Sequence, residues 1–61
     1  MISDKFNIVV TECAENEIFL DIDEMAIDMG LPFDMKGAVA ELENKGWKVR
    51  REFPNRVIME L

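Results

Sequence analysis

Residues 21–46 read DIDEMAIDMGLPFDMKGAVAELENKG, and this stretch decides the fold. Apolar residues recur in it twice at i, i+3, i+4 and i+7, which is the spacing of one helix face. Gly30 and Pro32 stand between the two runs, where glycine favours the position after a helix and proline cannot continue one. The pattern predicts one helix over 22–29 and a second helix over 34–45, joined by a tight turn.

Each predicted helix has its own start, end and apolar face. Asp21 and Glu24 resemble a capping box before the first helix, and Asp34 is a good N-cap for the second. Lys45 and Gly46 are typical of a helix C-terminus. The residues expected to face the core are Ile22, Met25, Ala26, Met29, Met35, Ala38, Val39 and Leu42. The methionines Met25, Met29, Met35 and Met59 are expected to fill the core.

Residues 47–61 follow a period of two, which predicts a β-hairpin with its turn at Pro54-Asn55. Its apolar side is expected to close over the helices, and Trp47 to fill the gap between helix and hairpin. In the first strand one side carries Trp47, Val49, Arg51 and Phe53, and the other carries Lys48, Arg50 and Glu52.

Residues 17–21 predict a short strand, whereas residues 1–16 fit two structures. The β-branched stretch 6–11 alternates apolar and polar positions, which favours a strand. A helix from about residue 3 to 15 would instead place Ile2, Phe6, Val9 and Cys13 on one face. Both alternatives stay open.

The order of strand, helix, tight turn, second helix and hairpin resembles a winged helix-turn-helix domain. Asp23-Glu24-Met25-Ala26 with Met29-Gly30-Leu31 is similar to the first helix of the motif and its turn. Leu42-Glu43-Asn44-Lys45-Gly46-Trp47 is similar to the exit of the recognition helix into the wing. The resemblance covers residues 17–61. It implies one α+β domain over 1–61, with two core helices and a C-terminal hairpin wing.

The composition excludes several classes of protein. A chain of 61 residues has room for one small core. It has one cysteine and no histidine, which removes intramolecular disulfides, the common zinc sites and the usual nucleophile–base pairs. We therefore expect no enzyme, no metal and no cofactor, and Cys13 inert or buried. The chain lacks a signal-peptide pattern and an apolar run that could span a bilayer, so we expect a cytoplasmic protein without membrane contact.

The resemblance implies a small DNA-binding regulator, like compact phage or bacterial winged-helix proteins, that acts as a homodimer on double-stranded DNA. Lysine and arginine in the wing would contact phosphates, so the wing is expected to make most contacts. The implied DNA-binding residues are Lys36, Gly37, Ala40, Lys48, Arg50, Arg51, Asn55 and Arg56.

The distribution of charge supports an alternative. Residues 1–31 carry eight acidic and one basic side chain, net −7, whereas residues 32–61 carry five acidic and six basic, net +1. A net charge of −6 opposes attraction to nucleic acid. The alternative is an acidic winged-helix interaction module or inhibitor that binds a basic protein surface. DNA binding needs one continuous basic surface that includes the second helix, and protein binding needs the acids of residues 12–28 beside exposed apolar side chains.

Overall fold

A computed structural model describes residues 2–3 and 5–61, and side chains from residue 5 onward. The chain forms a five-stranded antiparallel sheet with two helices, an α+β fold. The strands lie in the order β1-β2-β3-β5-β4. The elements are β1 (Ile2–Ser3), β2 (Ile8–Ala14), β3 (Glu17–Ile22), α1 (Glu24–Asp28), α2 (Met35–Glu43), β4 (Lys48–Phe53) and β5 (Arg56–Glu60).

The strand alternative is confirmed for the N-terminal segment, and the helix alternative is wrong in the part that the structure describes. In β2, Ile8 and Val10 are buried and Thr11 is exposed. This alternation is the one a half-buried strand requires. Met1 and Asp4 lie outside the described residues.

One face of the sheet, the inner face, packs against α2 and forms the core. Neighbouring residues of a strand point to opposite faces, so the alternate residues form an outer face. Half-buried side chains from α2 and from residue 47 pack around the core. The buried core residues are Ile8, Val10, Ile18, Leu20, Ala38, Val57 and Met59.

Helix α1 is shorter than the predicted helix, and its cap is Asp23 rather than Asp21. The Asp23 carboxylate accepts hydrogen bonds from the backbone N–H groups of Met25 at 3.1 Å and Ala26 at 3.5 Å. Gly30 takes the left-handed conformation expected after a helix, with φ of 78°. Of the α1 residues, only Ala26 is buried.

The expectation that Met25 and Met29 fill the core is wrong. Their side chains are 76% and 72% exposed. A five-residue helix turns too little of its surface toward the sheet to bury both methionines and Ala26. Met59 is fully buried and Met35 packs against the core, as predicted.

The β1–β2 turn holds the loop between the helices. The Asn7 side-chain amide donates a hydrogen bond to the carbonyl oxygen of Pro32 at 2.5 Å, and the Asp34 N–H donates one to the carbonyl oxygen of Phe6 at 3.0 Å. Asp34 caps α2 as predicted, because its carboxylate accepts from the Gly37 N–H at 2.8 Å. These contacts fix the start of α2 beside the start of β2.

The expected alternation in the first hairpin strand is wrong beyond Val49. The register shifts between Val49 and Arg51, so β4 contains a bulge at Arg50. A bulge moves the following residues to the other face. Arg51 consequently lies opposite Ile58, and Phe53 is 46% exposed instead of covering the helices.

Candidate interaction surfaces

The structure divides the expected DNA-binding residues between two faces. The side chains of Lys48, Arg50, Arg51 and Arg56 lie on the outer face, because their strand partners or contacts are the outward residues Glu60, Glu17, Ile58 and Asp21. Lys36 and Ala40 are exposed on α2, which packs on the inner face, and Asn55 is in the turn between β4 and β5. The sheet therefore separates the hairpin bases from α2.

The outer face is electrically mixed. Arg50 forms an ion pair with Glu17, and the Arg56 Nε donates to the Asp21 carboxylate at 2.7 Å. Glu60 lies opposite Lys48. The four basic side chains on this face thus have three carboxylates among them, which leaves little excess positive charge for phosphates.

Gly37 has a structural role in the fold. It is half-buried in the first turn of α2, and a Cβ at this position would lie 2.7 Å from the Phe6 ring and against the Asp34 carboxylate. The residue is small because two side chains occupy the space beside it. Gly37 has no side chain, and its half-buried position leaves little surface that could contact a base.

Most of the exposed large apolar side chains lie at one end of the molecule. Seven are exposed in the described residues, and six of them belong to α1, to the loop that follows it or to the end of β4. Only Leu61 is elsewhere. We call these six the apolar surface: Met25, Ile27, Met29, Leu31, Phe33 and Phe53.

Helix α1 and the tip of the β4–β5 hairpin adjoin at this end. Ile27 of α1 and Asn55 of the hairpin line one hollow of about 250 Å³. Asn55 and Phe53 line a second hollow of about 450 Å³, and Asp21 lines both. Ile27 of α1 and Phe53 near the hairpin tip therefore line neighbouring hollows that share Asp21 and Asn55.

Acidic side chains predominate around α1. Asp21, Asp23, Glu24, Asp28 and Asp34 lie in or beside α1 and its loop, and the basic residues described at this end are Lys5, Lys36, Arg51 and Arg56. Exposed apolar patches rimmed by polar groups are typical of interaction sites. The carboxylates of α1 and its cap have no basic side chain among them, which favours a positively charged partner at the helix, since complementary charge speeds association and selects among partners.

A groove beside Trp47 lies at the opposite end of the sheet. Its larger part, about 470 Å³, is lined by residues of β2, by Ile18, and by Leu42, Lys45 and Trp47. A second part of about 450 Å³ shares Glu12, Ile18 and Trp47 with the first. We call both parts together the Trp47 groove: Val10, Thr11, Glu12, Cys13, Ala14, Glu15, Ile18, Leu42, Lys45 and Trp47.

Cys13 lies in the wall of this groove. The expectation of an inert or buried thiol is wrong about burial, because Cys13 is exposed. Partial desolvation of the sulfur, its hydrogen bond to Glu17 and the negative charge of Glu17 raise the pKa of the thiol. The Sγ–H group donates to the Glu17 carbonyl oxygen at 3.2 Å and to its carboxylate at 3.3 Å. A raised pKa lowers the fraction of reactive thiolate at neutral pH.

The part of the chain that the structure describes holds no group of three or more His, Cys, Asp or Glu side chains arranged for a metal ion. Neither of its helices has the length and apolar character that crossing a membrane would require. Comparison with family models, curated proteins and solved structures found no match to this chain.

Sequence reasoning missed the apolar surface, although a signal was present. Met25, Ile27, Met29, Leu31 and Phe33 occupy alternate positions of a nine-residue stretch. A helix face takes residues at i, i+3 and i+4, so a short helix cannot bury this alternating set. The i, i+4 spacing of Met25 and Met29 instead predicts a core stripe.

Proposed function

We propose that this chain is a protein-binding module whose apolar surface binds a basic, apolar segment of a partner protein. The observation that carries the proposal is the exposure of six large apolar side chains at one end of the molecule, among five carboxylates. A partner segment with an apolar stripe and flanking lysine or arginine side chains matches both properties.

Burial of the methionines supplies much of the expected binding energy. Burying a methionine side chain fully is worth about 1.5–3 kcal/mol, and Met25 and Met29 keep most of their surface exposed in the free protein. Methionine side chains adapt their shape to a partner because they are flexible and unbranched. Met25 lies in α1 and Met29 is its C-cap residue, so the two side chains are four positions apart, about one helical turn.

A partner protein fits this surface better than a second copy of the chain. Two copies that met through the apolar surface would bring Glu24 and Asp28 of each against those of the other. Like charges across an interface cost binding energy. A basic segment instead gains from the same carboxylates, and the net charge of −6 steers it toward the protein.

The winged helix-turn-helix assignment belongs to the same proposal. The order β3, α1, α2, β4, β5 agrees with the strand, two helices and hairpin that the resemblance implies. Two departures are the five-residue length of α1 and the strands that precede β3.

Binding to double-stranded DNA is the second candidate function. It is favoured by Lys48, Arg50, Arg51 and Arg56, which share the outer face near the hairpin. In this reading the hairpin contacts phosphates from the outer face, and α2 stays away from the duplex. The ion pairs of Arg50 and Arg56 weaken the case, since phosphates would have to displace Glu17 and Asp21.

The test measures binding of one defined probe for each of the two candidate functions. One probe is an 18-residue peptide of leucine and lysine with leucine at i, i+3, i+4 and i+7, and the other is a random-sequence DNA duplex. Binding of each to the wild-type chain is followed by fluorescence anisotropy across a salt series. Met29→Ser removes part of the apolar surface, and Leu61→Ser is the matched control, because Leu61 is also exposed but lies at the other end.

We expect the peptide to bind, Met29→Ser to weaken binding about tenfold and Leu61→Ser to leave it unchanged. Equal loss in both variants would overturn the proposal. So would duplex binding that weakens with salt and disappears in an Arg50→Ala/Arg51→Ala/Arg56→Ala variant, without peptide binding. That result would make DNA binding the function.

A further inference from the structure

The methionines of the chain differ widely in their access to solvent. The side chains of Met25 and Met29 are 76% and 72% exposed, whereas Met59 is fully buried. Met35 is half-buried and packs against the core. Met1 is the fifth methionine, and it lies outside the described residues. Among the described methionines, a reagent in solution therefore reaches Met25 and Met29 first.

The thioether sulfur of an accessible methionine is a nucleophile toward peroxides. A sulfur lone pair attacks one oxygen of hydrogen peroxide, the O–O bond breaks and an S=O bond forms. The sulfur loses two electrons, the peroxide gains them, and the second oxygen leaves as water with both protons. The product is methionine sulfoxide. Hydrogen peroxide is uncharged, so the neighbouring carboxylates of Glu24 and Asp28 do not repel it from Met25 and Met29.

Oxidation at these two positions changes the apolar surface without changing the core. Sulfoxide formation turns a flexible apolar side chain into a polar one and disrupts interfaces rich in methionine. In the free protein the added oxygens of Met25 and Met29 stay accessible to water, because both side chains are largely exposed. In a complex the same oxygens would be buried against apolar groups of the partner, and a buried polar group without a hydrogen bond is costly. The oxidation therefore weakens binding and not folding.

We propose that Met25 and Met29 form an oxidative modification site, at which peroxide converts the apolar surface into a form that no longer holds the partner segment. This inference rests on the proposed function, because it concerns the same surface. Sulfoxide reductases return methionine sulfoxide to methionine, so the change is reversible. Since the partner and the oxidant compete for the same side chains, a bound partner protects Met25 and Met29 from peroxide.

The first measurement is the rate of oxidation at each methionine. The chain is incubated with hydrogen peroxide, and mass spectrometry after digestion measures sulfoxide at each position, with and without the leucine–lysine peptide that tests the proposed function. This peptide contains no sulfur and so does not consume the oxidant. We expect Met25 and Met29 to react about tenfold faster than Met59. The peptide, at about ten times its Kd, should slow both reactions about tenfold and leave Met35 unaffected.

The second measurement is binding of the same peptide after oxidation, which is stopped while Met59 is still unmodified. A thiol reductant reverses disulfide or sulfenic acid at Cys13 and leaves the sulfoxides in place. We expect the oxidised chain to bind the peptide about tenfold more weakly than the untreated chain, with an unchanged midpoint of urea unfolding.

Two variants assign the effect to the exposed methionines. Met25→Leu/Met29→Leu keeps the apolar area but has no sulfur at either position, so it should bind the peptide equally well before and after peroxide. Met35→Leu is the matched control, because it retains both exposed methionines. Peroxide should weaken its binding as much as that of the wild type.

Four results would overturn the inference, and they differ from one another. Equal rates of oxidation at Met25, Met29 and Met59 would remove the modification site, whatever the chain binds. Unchanged binding after oxidation of both exposed methionines would remove the effect on the partner and leave the proposed function intact. Loss of binding in oxidised Met25→Leu/Met29→Leu would assign the effect to another residue. If the untreated chain did not bind the peptide, the proposed function itself would fail, and this inference with it.

Discussion

The guanidinium carbon of Arg56 lies 4.8 Å from the centre of the Phe19 ring, on the outer face of the sheet. The same guanidinium donates a hydrogen bond from Nε to the Asp21 carboxylate at 2.7 Å. Arg56 belongs to β5, and the other two residues belong to the neighbouring strand β3. Arg56 therefore covers an aromatic ring on the outer face, and it links two strands of the sheet.

Replacing Arg56 should reduce the stability of the fold. We expect Arg56→Ala to lower the free energy of unfolding by about 1 kcal/mol, because it loses a cation–π contact and a partly exposed ion pair. Arg56→Lys should cost about half as much, since lysine keeps the charge but not the planar stacking group. Urea unfolding followed by Trp47 fluorescence measures both effects.

Arg51→Ala is the control for this measurement. The Arg51 guanidinium lies 5.8 Å from the ring of Phe53, which is itself 46% exposed, and it has no ion pair among the described contacts. Its replacement should change the free energy of unfolding by less than about 0.5 kcal/mol. A loss as large as that of Arg56→Ala would show that the Phe19 contact has no special weight.

Gly37→Ala should destabilise the protein although alanine favours helices. The added methyl group would meet the Phe6 ring and the carboxylate of Asp34, which caps α2. Losing a cap costs about 1 kcal/mol and shifting the ring adds to it, while the gain in helix propensity is about 1 kcal/mol at most. We expect a net loss of about 1 kcal/mol in urea unfolding.

Lys36→Ala supplies the comparison for that variant, because Lys36 is the exposed neighbour on the same helix turn. It should change stability by less than about 0.5 kcal/mol. If Gly37→Ala were neutral or stabilising instead, the contact with Phe6 would not be the reason for glycine at this position.

Much of the fold could be predicted because local patterns determine it. Asp34 and Gly30 mark the boundaries of α2 and α1 through side-chain capping and backbone conformation, which act within a few residues. The Pro54-Asn55 turn joins two strands for the same reason. These signals do not depend on the rest of the chain.

The features that the sequence did not predict depend on contacts between distant segments. The bulge at Arg50 occurs in the pairing with β5, and Arg50 forms an ion pair with Glu17, which is 33 positions away. The separation of the hairpin bases from α2 follows from the side of the sheet on which α2 packs. Periodicity within one segment carries no information about either.

The methionines should divide into two groups by their effect on stability. Met25→Ala and Met29→Ala should each change the free energy of unfolding by less than about 0.5 kcal/mol, because both side chains are largely exposed. Met59→Ala should cost about 2–5 kcal/mol, because Met59 is fully buried and its loss leaves a cavity. A large cost at Met25 or Met29 in urea unfolding would show that these side chains pack against the rest of the protein.

Replacing Glu17 should make Cys13 more reactive. The hydrogen bond to Glu17 and its negative charge both contribute to the raised pKa of the Cys13 thiol, after the larger effect of desolvation. Glu17→Gln removes the charge but keeps a hydrogen-bond acceptor, so the pKa of Cys13 should fall toward its ordinary value without reaching it. A lower pKa gives more thiolate near pH 8, and therefore faster alkylation by iodoacetamide. The midpoint of the rate-against-pH profile should move to lower pH in this variant.

Glu15→Gln is the control. The Glu15 carboxylate lies in the same hairpin but makes no described contact with Cys13, so its removal should leave the profile unchanged. Equal shifts in both variants would assign the effect to the overall negative charge of the hairpin and not to the contact with Glu17.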